Sequence, residues 1–184
     1  VSIVVLAITA AGLRKWQLAR TGNKAFQAGI TAFEDQNWQQ AAVNLGKYLV
    51  VNPRDVHILH KYAQSLLNIR PLNRNNIQQA VTCYRNILRI DKSNTEAAQK
   101  LTTLYIQLNV PSEAELVAAR YLQANHNPQM QMTLAISYAK QRKTEQAIKI
   151  FKNIIRENPE LILAYELVGQ LAEQYPQDCP FKAV

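Results

Sequence analysis

The stretch NWQQAAVNLGKYLVVNP, Asn37 to Pro53, holds no acid–base pair, no nucleophile and no set of metal ligands. A weaker copy, NNIQQAVTCYRNILRIDK, begins at Asn75, and another, KTEQAIKIFKNIIRENP, begins at Lys143. A chemically plain phrase that recurs is a structural unit, so the spacing of its residues carries the information.

Each phrase has a small residue at its centre: Ala41, Ala80, Ala114 and Ala147, spaced 39, 34 and 33. A second series of small residues precedes it: Gly29, Ala63, Thr102, Ala135 and Gly169, spaced 34, 39, 33 and 34. The step from the preceding small residue to the paired Ala is 12 residues in three repeats and 17 in the second repeat, which places five extra residues in Asn68 to Asn76. Four residues after each Ala come Leu45, Tyr84, Ala118 and Phe151, and eight after it Leu49, Leu88, Leu122 and Ile155. Steps of four with apolar residues between them lie on one face of a helix. Asn52, Asp91, Asn125 and Asn158 then supply a polar stop, and Pro53 and Pro159 cannot continue a helix.

This pattern resembles the tetratricopeptide repeat, a helix–turn–helix unit of about 34 residues. The small–x11–small step, the large residue four later and the closing Asn-Pro carry the likeness over Gly22 to Tyr175. Thr102, Ala118 and Lys92 depart from the pattern, at positions where a smaller residue, an aromatic and a proline are expected. The resemblance implies an all-α, right-handed superhelical solenoid of antiparallel helix pairs, with first helices lining a groove and second helices forming the outer wall. The expected division is an N-terminal segment 1–21, repeats over 22–55, 56–94, 95–127 and 128–161, a half-repeat over 162–175 and an irregular tail 176–184. A single pair cannot bury its own apolar face, so neighbours stack.

Composition agrees with helices: 48% of the residues are hydrophobic, and there are 5 Gly and 7 Pro. Cys83 and Cys179 stand far apart, with neither a CxxC nor a CxxCH, and read as a packed helical thiol and a tail thiol. The net charge of +8 is uneven: residues 1–94 hold twelve Lys and Arg against four Asp and Glu, whereas residues 95–184 hold nine of each. A basic half is either a solvated face or a surface that lies near something anionic.

The chain opens VSIVVLAITAAGL, uncharged over Val1 to Leu13, and continues with Arg14, Lys15, Trp16 and Arg20. Thirteen helical residues cover about 20 Å, short of a hydrocarbon core of roughly 30 Å. The basic and aromatic edge nevertheless suits a helix that leaves a bilayer, because Lys and Arg meet head groups and Trp prefers the interface. The expectation is a signal-anchor whose apolar run extends upstream of Val1, with a packed helix as the alternative. The repeats would then stand in an aqueous compartment on a side of the membrane that the sequence does not specify.

Groove positions implied by the resemblance are Phe26, Ile30 and Phe33 in the first repeat and His57, His60, Gln64 and Asn68 in the second. Gln99 and Thr103 follow in the third, and Met132 and Ile136 in the fourth. A terminal-carboxylate clamp of the kind the family uses needs Lys, Arg and Asn here, so Phe26 and Ile30 argue against one. Apolar groove residues accept a partner helix or the protein's own N-terminal helix, or else are packed core. His57 and His60 share a helix face without a third ligand nearby, so no metal or other cofactor is expected. Arg70 and Arg74 belong to the insertion, which is either a recognition loop or a neutral lengthening.

The final first helix, ELILAYELVGQLAEQY, is apolar around much of its circumference and no second helix follows it. Further protein, a partner or self-association through this uncapped end would cover it. No phosphate loop, HExxH or nucleophile elbow is present, so catalysis is not expected. The leading function is a membrane-anchored protein–protein interaction scaffold that organises a multiprotein complex. Its alternatives are the repeat arm of a larger enzyme continuing beyond Val184, and nucleic-acid binding by the basic half. The last is disfavoured because aromatics do not alternate with the basic residues.

Overall fold

A computed structural model describes residues 21–174, and these form helices joined by short turns. They divide into two compact units, one up to Asp91 and one from Lys92. In the first unit α1 covers 21–34. It is followed by α2 (Trp38–Val51), α3 (Val56–Asn68) and α4 (Arg74–Ile90). The second holds α5 (Thr95–Gln107), α6 (Pro111–Leu122), α7 (Pro128–Lys140), α8 (Thr144–Glu157) and α9 (Ile162–Gln174).

Side-chain caps start most of these helices. Asn37, Asp55, Asn73, Asn94 and Asn127 each accept a hydrogen bond from the backbone N–H three residues on, at 2.8–3.2 Å. Each satisfies a donor that the first helical turn leaves unpaired. Pro111 and Pro128 stand at the first helical position, where the missing N–H costs nothing.

Three helix pairs are closed by the same turn. Gln36, Asn109 and Arg142, each seven residues after the small residue of its first helix, have φ of 56°, 57° and 59°. The next N–H reaches back five residues in every case: Asn37 to the Ala32 carbonyl (2.8 Å), Val110 to Tyr105 (2.9 Å) and Lys143 to Tyr138 (3.0 Å). This is the left-handed C-terminal closure that satisfies the last carbonyls of a helix. The α3–α4 pair is joined differently. Its linker is Ile69 to Asn73, and Asn75 and Asn76, expected between the helices, lie in the first turn of α4.

The two series of small residues meet as close contacts. Ala41, Ala80, Ala114 and Ala147 are all fully buried, as are Ala63, Thr102 and Ala135 in the first helices. A methyl group on Gly29 would stand 2.6 Å from Leu45 Cδ2 and 3.1 Å from the Leu45 backbone nitrogen, so α1 and α2 touch at a point where only glycine fits. Thr102 is admitted because its hydroxyl donates to the Ala98 carbonyl at 2.9 Å, inside its own helix. The large residues Leu45, Tyr84 and Phe151 are buried four residues after the Ala, with Ala118 in the same place. Further along, the buried residue is the seventh in α4, α6 and α8 (Ile87, Tyr121, Ile154), not the eighth as the four-residue step predicts. A helix turns 3.6 residues at a time, so a seam followed over two turns drifts from eight to seven.

Among the described residues no helix is long and apolar enough to cross a membrane. The anchor expected over residues 1–21 falls on positions 1–20, which with the tail 175–184 lie outside the described residues.

One ion pair links α6 to the turn before α8. Lys143 Nζ and Gln141 Nε2 both donate to Glu115 Oε2, at 2.7 and 2.6 Å. Burial alone would raise the Glu115 carboxyl, but the bonds from Lys143 and Gln141 and the lysine's charge outweigh it and hold the carboxyl below its ordinary 4.5. Its contribution to stability is therefore complete above that ordinary value and is lost as pH falls through the lowered one. Lys143→Met is expected to cost about 0.5–1 kcal/mol at neutral pH, since the pair is partly solvated. The gap between wild type and variant should close as chemical denaturation is repeated from pH 6 down to pH 3. A gap that does not change with pH would show that Lys143 acts by packing alone.

A second expectation compares two glycines in the same register. Gly29→Ala should destabilise the chain by about 1–3 kcal/mol through overpacking against Leu45. Among the described residues nothing lies within 4 Å of the equivalent methyl at Gly169. Gly169→Ala should therefore be stabilising by about 0.5–1 kcal/mol, through helix propensity. Denaturant midpoints of the two variants, moving in opposite directions, check this.

Candidate interaction surface on the first helices

In the first unit α1 and α3 supply the candidate groove. Phe26, Ile30 and Phe33 recur every three or four residues on α1 and are each half-buried. Phe26 packs on Tyr48 with ring centroids 5.1 Å apart. Tyr48 in turn donates to Asp55 Oδ2 at 2.9 Å, while Asp55 Oδ1 caps α3. Burial, the bond to Asp55 and its negative charge push the Tyr48 phenol up, so the donor keeps its proton. Phe26 is thus tied through Tyr48 of α2 to the start of the next helix.

Phe33 stands edge-on to Trp38 at 5.5 Å and has Lys61 Nζ 4.3 Å from its centroid. Lys61 was not among the expected groove residues. It lies on α3 between the named positions, and only the spatial approach of α3 to Phe33 singles it out. A cation at this distance from an aromatic face is held there by the ring quadrupole.

The α3 positions divide. His57 and Gln64 are exposed. His60 is half-buried and turned toward α4, with its ring 5.7 Å from that of Tyr84. Asn68 Nδ2 bonds back to the Gln64 carbonyl at 2.8 Å. Among the described residues no group of three or more His, Cys, Asp or Glu is arranged to hold a metal ion.

Of the two arginines of the insertion, Arg70 lies in the linker and Arg74 in α4. Arg70 folds back, its guanidinium donating to the Leu67 and Ile69 carbonyls at 2.8 and 3.1 Å, which satisfies the open end of α3. Arg74 is the first residue of α4. Cys83, on the same helix, is a buried thiol pushed up to about 12 by its apolar surroundings and is inert as a nucleophile.

In the second unit the corresponding face is mostly polar. Glu96, Thr103, Gln107, Gln129 and Lys140 are exposed, and Gln99 is half-buried. Met132, expected in the groove, is only 7% exposed and belongs to the core with Ala135, Phe151 and Val168. Ile136 is packed against that core. Continuing the repeat register adds Leu163, Glu166 and Gln170 of α9, all exposed. The spacing of 34 from Ala135 to Gly169 puts them in register with Gln129, Met132 and Ile136. Arg14, Lys15, Trp16 and Arg20 lie outside the described residues.

A tetratricopeptide-repeat family model matches residues 130–160. No curated protein sequence matches the chain. Solved structures do. A crystal structure of MamA superposes with a TM-score of 0.70 at 18% identity, covering 84% of this chain and 82% of that one. MamA from Desulfovibrio magneticus RS-1, residues 41 to the end, gives 0.68 at 14% identity over 86% and 87%. YrrB, described as a TPR protein with an unusual peptide-binding site, gives 0.65 at 14% identity over 83% and 76%. At these identities the likeness shows the fold: the chain has the all-α tetratricopeptide architecture of stacked helix pairs.

Proposed function

We propose that this protein is a non-catalytic interaction scaffold that binds extended or helical segments of other proteins on its first-helix faces. The observation that carries the reading is how α1 and α3 distribute their side chains. Phe26, Ile30 and Phe33 of α1 are half-buried apolar residues, His57 and Gln64 of α3 are exposed and polar, and Lys61 of α3 reaches the Phe33 ring. Such a surface offers apolar area for affinity and a few polar groups for register. The described residues of this unit carry eight Lys and Arg against four Asp and Glu, so acidic or neutral segments suit it better than basic ones. YrrB, with its peptide-binding site, supports the reading by analogy of fold alone.

The groove reading is tested by His57→Glu combined with Gln64→Arg. Both positions are exposed, so the change in stability should stay within about 0.5 kcal/mol. Proteins captured from native extract by the wild type should be lost by the double variant while its melting temperature is unchanged. Retention of the full set of captured proteins would place binding elsewhere.

Attachment to a membrane through residues 1–20 belongs to the same proposal, because the apolar Val1 to Leu13 run is followed by Arg14, Lys15, Trp16 and Arg20. The chain lacking residues 1–20 should leave the membrane fraction and remain in the supernatant without detergent. A full-length chain already found there would sink this part and leave the scaffold reading intact. The readings as an enzyme's repeat arm and as a nucleic-acid binder gain no specific observation among the described residues.

A further inference from the structure

The face of α9 that carries Gly169 is the equivalent of faces buried in α1, α3 and α5, while in α7 Ala135 is buried between the half-buried Gln131 and Tyr138. The residues that occupy it are Ala25, Gly29 and Ala32 in α1, Leu59, Ala63 and Leu66 in α3, and Ala98, Thr102 and Tyr105 in α5, all buried. In α9 the same positions are Tyr165, Gly169 and Ala172, and Ile162 extends the stripe. Here Ile162 is 71% and Tyr165 47% exposed, Gly169 is exposed and Ala172 half-buried. In the continuing register Pro176 falls at the position of the left-handed turn residue, and Phe181 at that of Ala41, Ala80, Ala114 and Ala147.

The stripe is large at its start and small at its end: Ile162 and Tyr165, then Gly169 and Ala172. Such an arrangement is complementary to itself. If a second α9 runs antiparallel about a two-fold axis at the level of Leu167, Tyr165 of each helix falls opposite Gly169 of the other, and Ile162 opposite Ala172. A two-fold interface requires this reciprocity. It repeats between copies the packing of Leu45 over Gly29 within one.

Charge is complementary in the same arrangement. The α9 helix carries Glu166 and Glu173 and neither Lys nor Arg. A shallow cleft of about 360 Å³ beside Tyr165 is lined by Lys152 and Arg156 of α8, with Ile155 and Val168. The antiparallel register brings the Glu173 end of one α9 to the Tyr165 cleft of the other.

We propose that two copies of this chain pair through α9, antiparallel, with Tyr165 of each seated over Gly169 of its mate. The pairing gives a geometry to self-association through the uncapped end and is independent of the groove on α1 and α3. A single helix on each side buries less than the roughly 1,200 Å² of a standard interface, so dissociation in the micromolar range is expected.

Sedimentation equilibrium of the full chain from low to high micromolar concentration tests this, together with full-chain Gly169→Leu and Tyr165→Ser. The wild type should move from 20.9 kDa toward twice that mass. Gly169→Leu fills the notch and should weaken pairing at least tenfold. Its helicity and melting should hold, since among the described residues nothing lies within 4 Å of that methyl position. Tyr165→Ser should weaken pairing in the same direction. A wild type that stays monomeric at every concentration overturns the proposal. So does a Gly169→Leu chain that dimerises like the wild type, which would place association elsewhere, for instance in residues 1–20. A monomeric wild type destabilised by Gly169→Leu would show the chain's own residues covering the face, and overturns it equally.

Discussion

The architecture depends on how closely the two helices of a pair approach. Where Gly29 meets Leu45 there is no room for a methyl group, and where Ala63, Thr102 and Ala135 stand the exposed area is nil. Close approach brings the large residues of the second helix, Leu45, Tyr84 and Phe151, into contact with the first along its length. Dispersion falls off steeply with distance, so a gap of even half an ångström over such a seam forfeits much of the attraction. The small residues therefore act by absence, and their spacing sets the period of the whole chain.

Close approach alone does not fix which way the second helix leaves the first. That is the task of the residue seven positions after the small one, which takes a left-handed conformation in three pairs although none of Gln36, Asn109 and Arg142 is glycine. The cost of this conformation is offset by the back-reaching N–H that follows and by the packing it permits. In the α3–α4 pair the five added residues remove the constraint, and the end of α3 is satisfied by the Arg70 side chain instead. An extended linker thus needed a new cap, and Arg70 supplies it from a stretch that the sequence leaves open as a recognition loop or a neutral lengthening.

The period, the pairing of helices and the identity of the small positions were legible in the sequence because they obey one rule at one scale. Details decided by three-dimensional neighbours were not. The series of capping residues Asn37, Asp55, Asn73, Asn94 and Asn127 is hidden because Asn and Asp also mark helix ends, as Asn52 and Asn158 do. Met132 has the register of a groove residue, but a flexible thioether follows the apolar neighbours it can reach, and those are Ala135 and Phe151 of the core. His60 is drawn to Tyr84 in the same way. Register predicts where the Cβ points; what the rest of a long side chain does depends on the next helix.

The same reasoning separates the residues of the repeat into those that are satisfied and those that are not. Ala41, Leu45 and their counterparts have every neighbour the unit needs, so variation there is opposed by packing alone. On α1 and α3 other residues are only partly satisfied: Phe33 is covered on one side by Lys61 and Trp38, and His57 and Gln64 face solvent. On α9 the shortfall is larger, because a face built to receive a helix receives none among the described residues. A chain of repeated bricks is individual only in such exceptions. Among the described residues they are concentrated on the first helices, and above all on α9, where Ile162, Tyr165 and Gly169 are exposed.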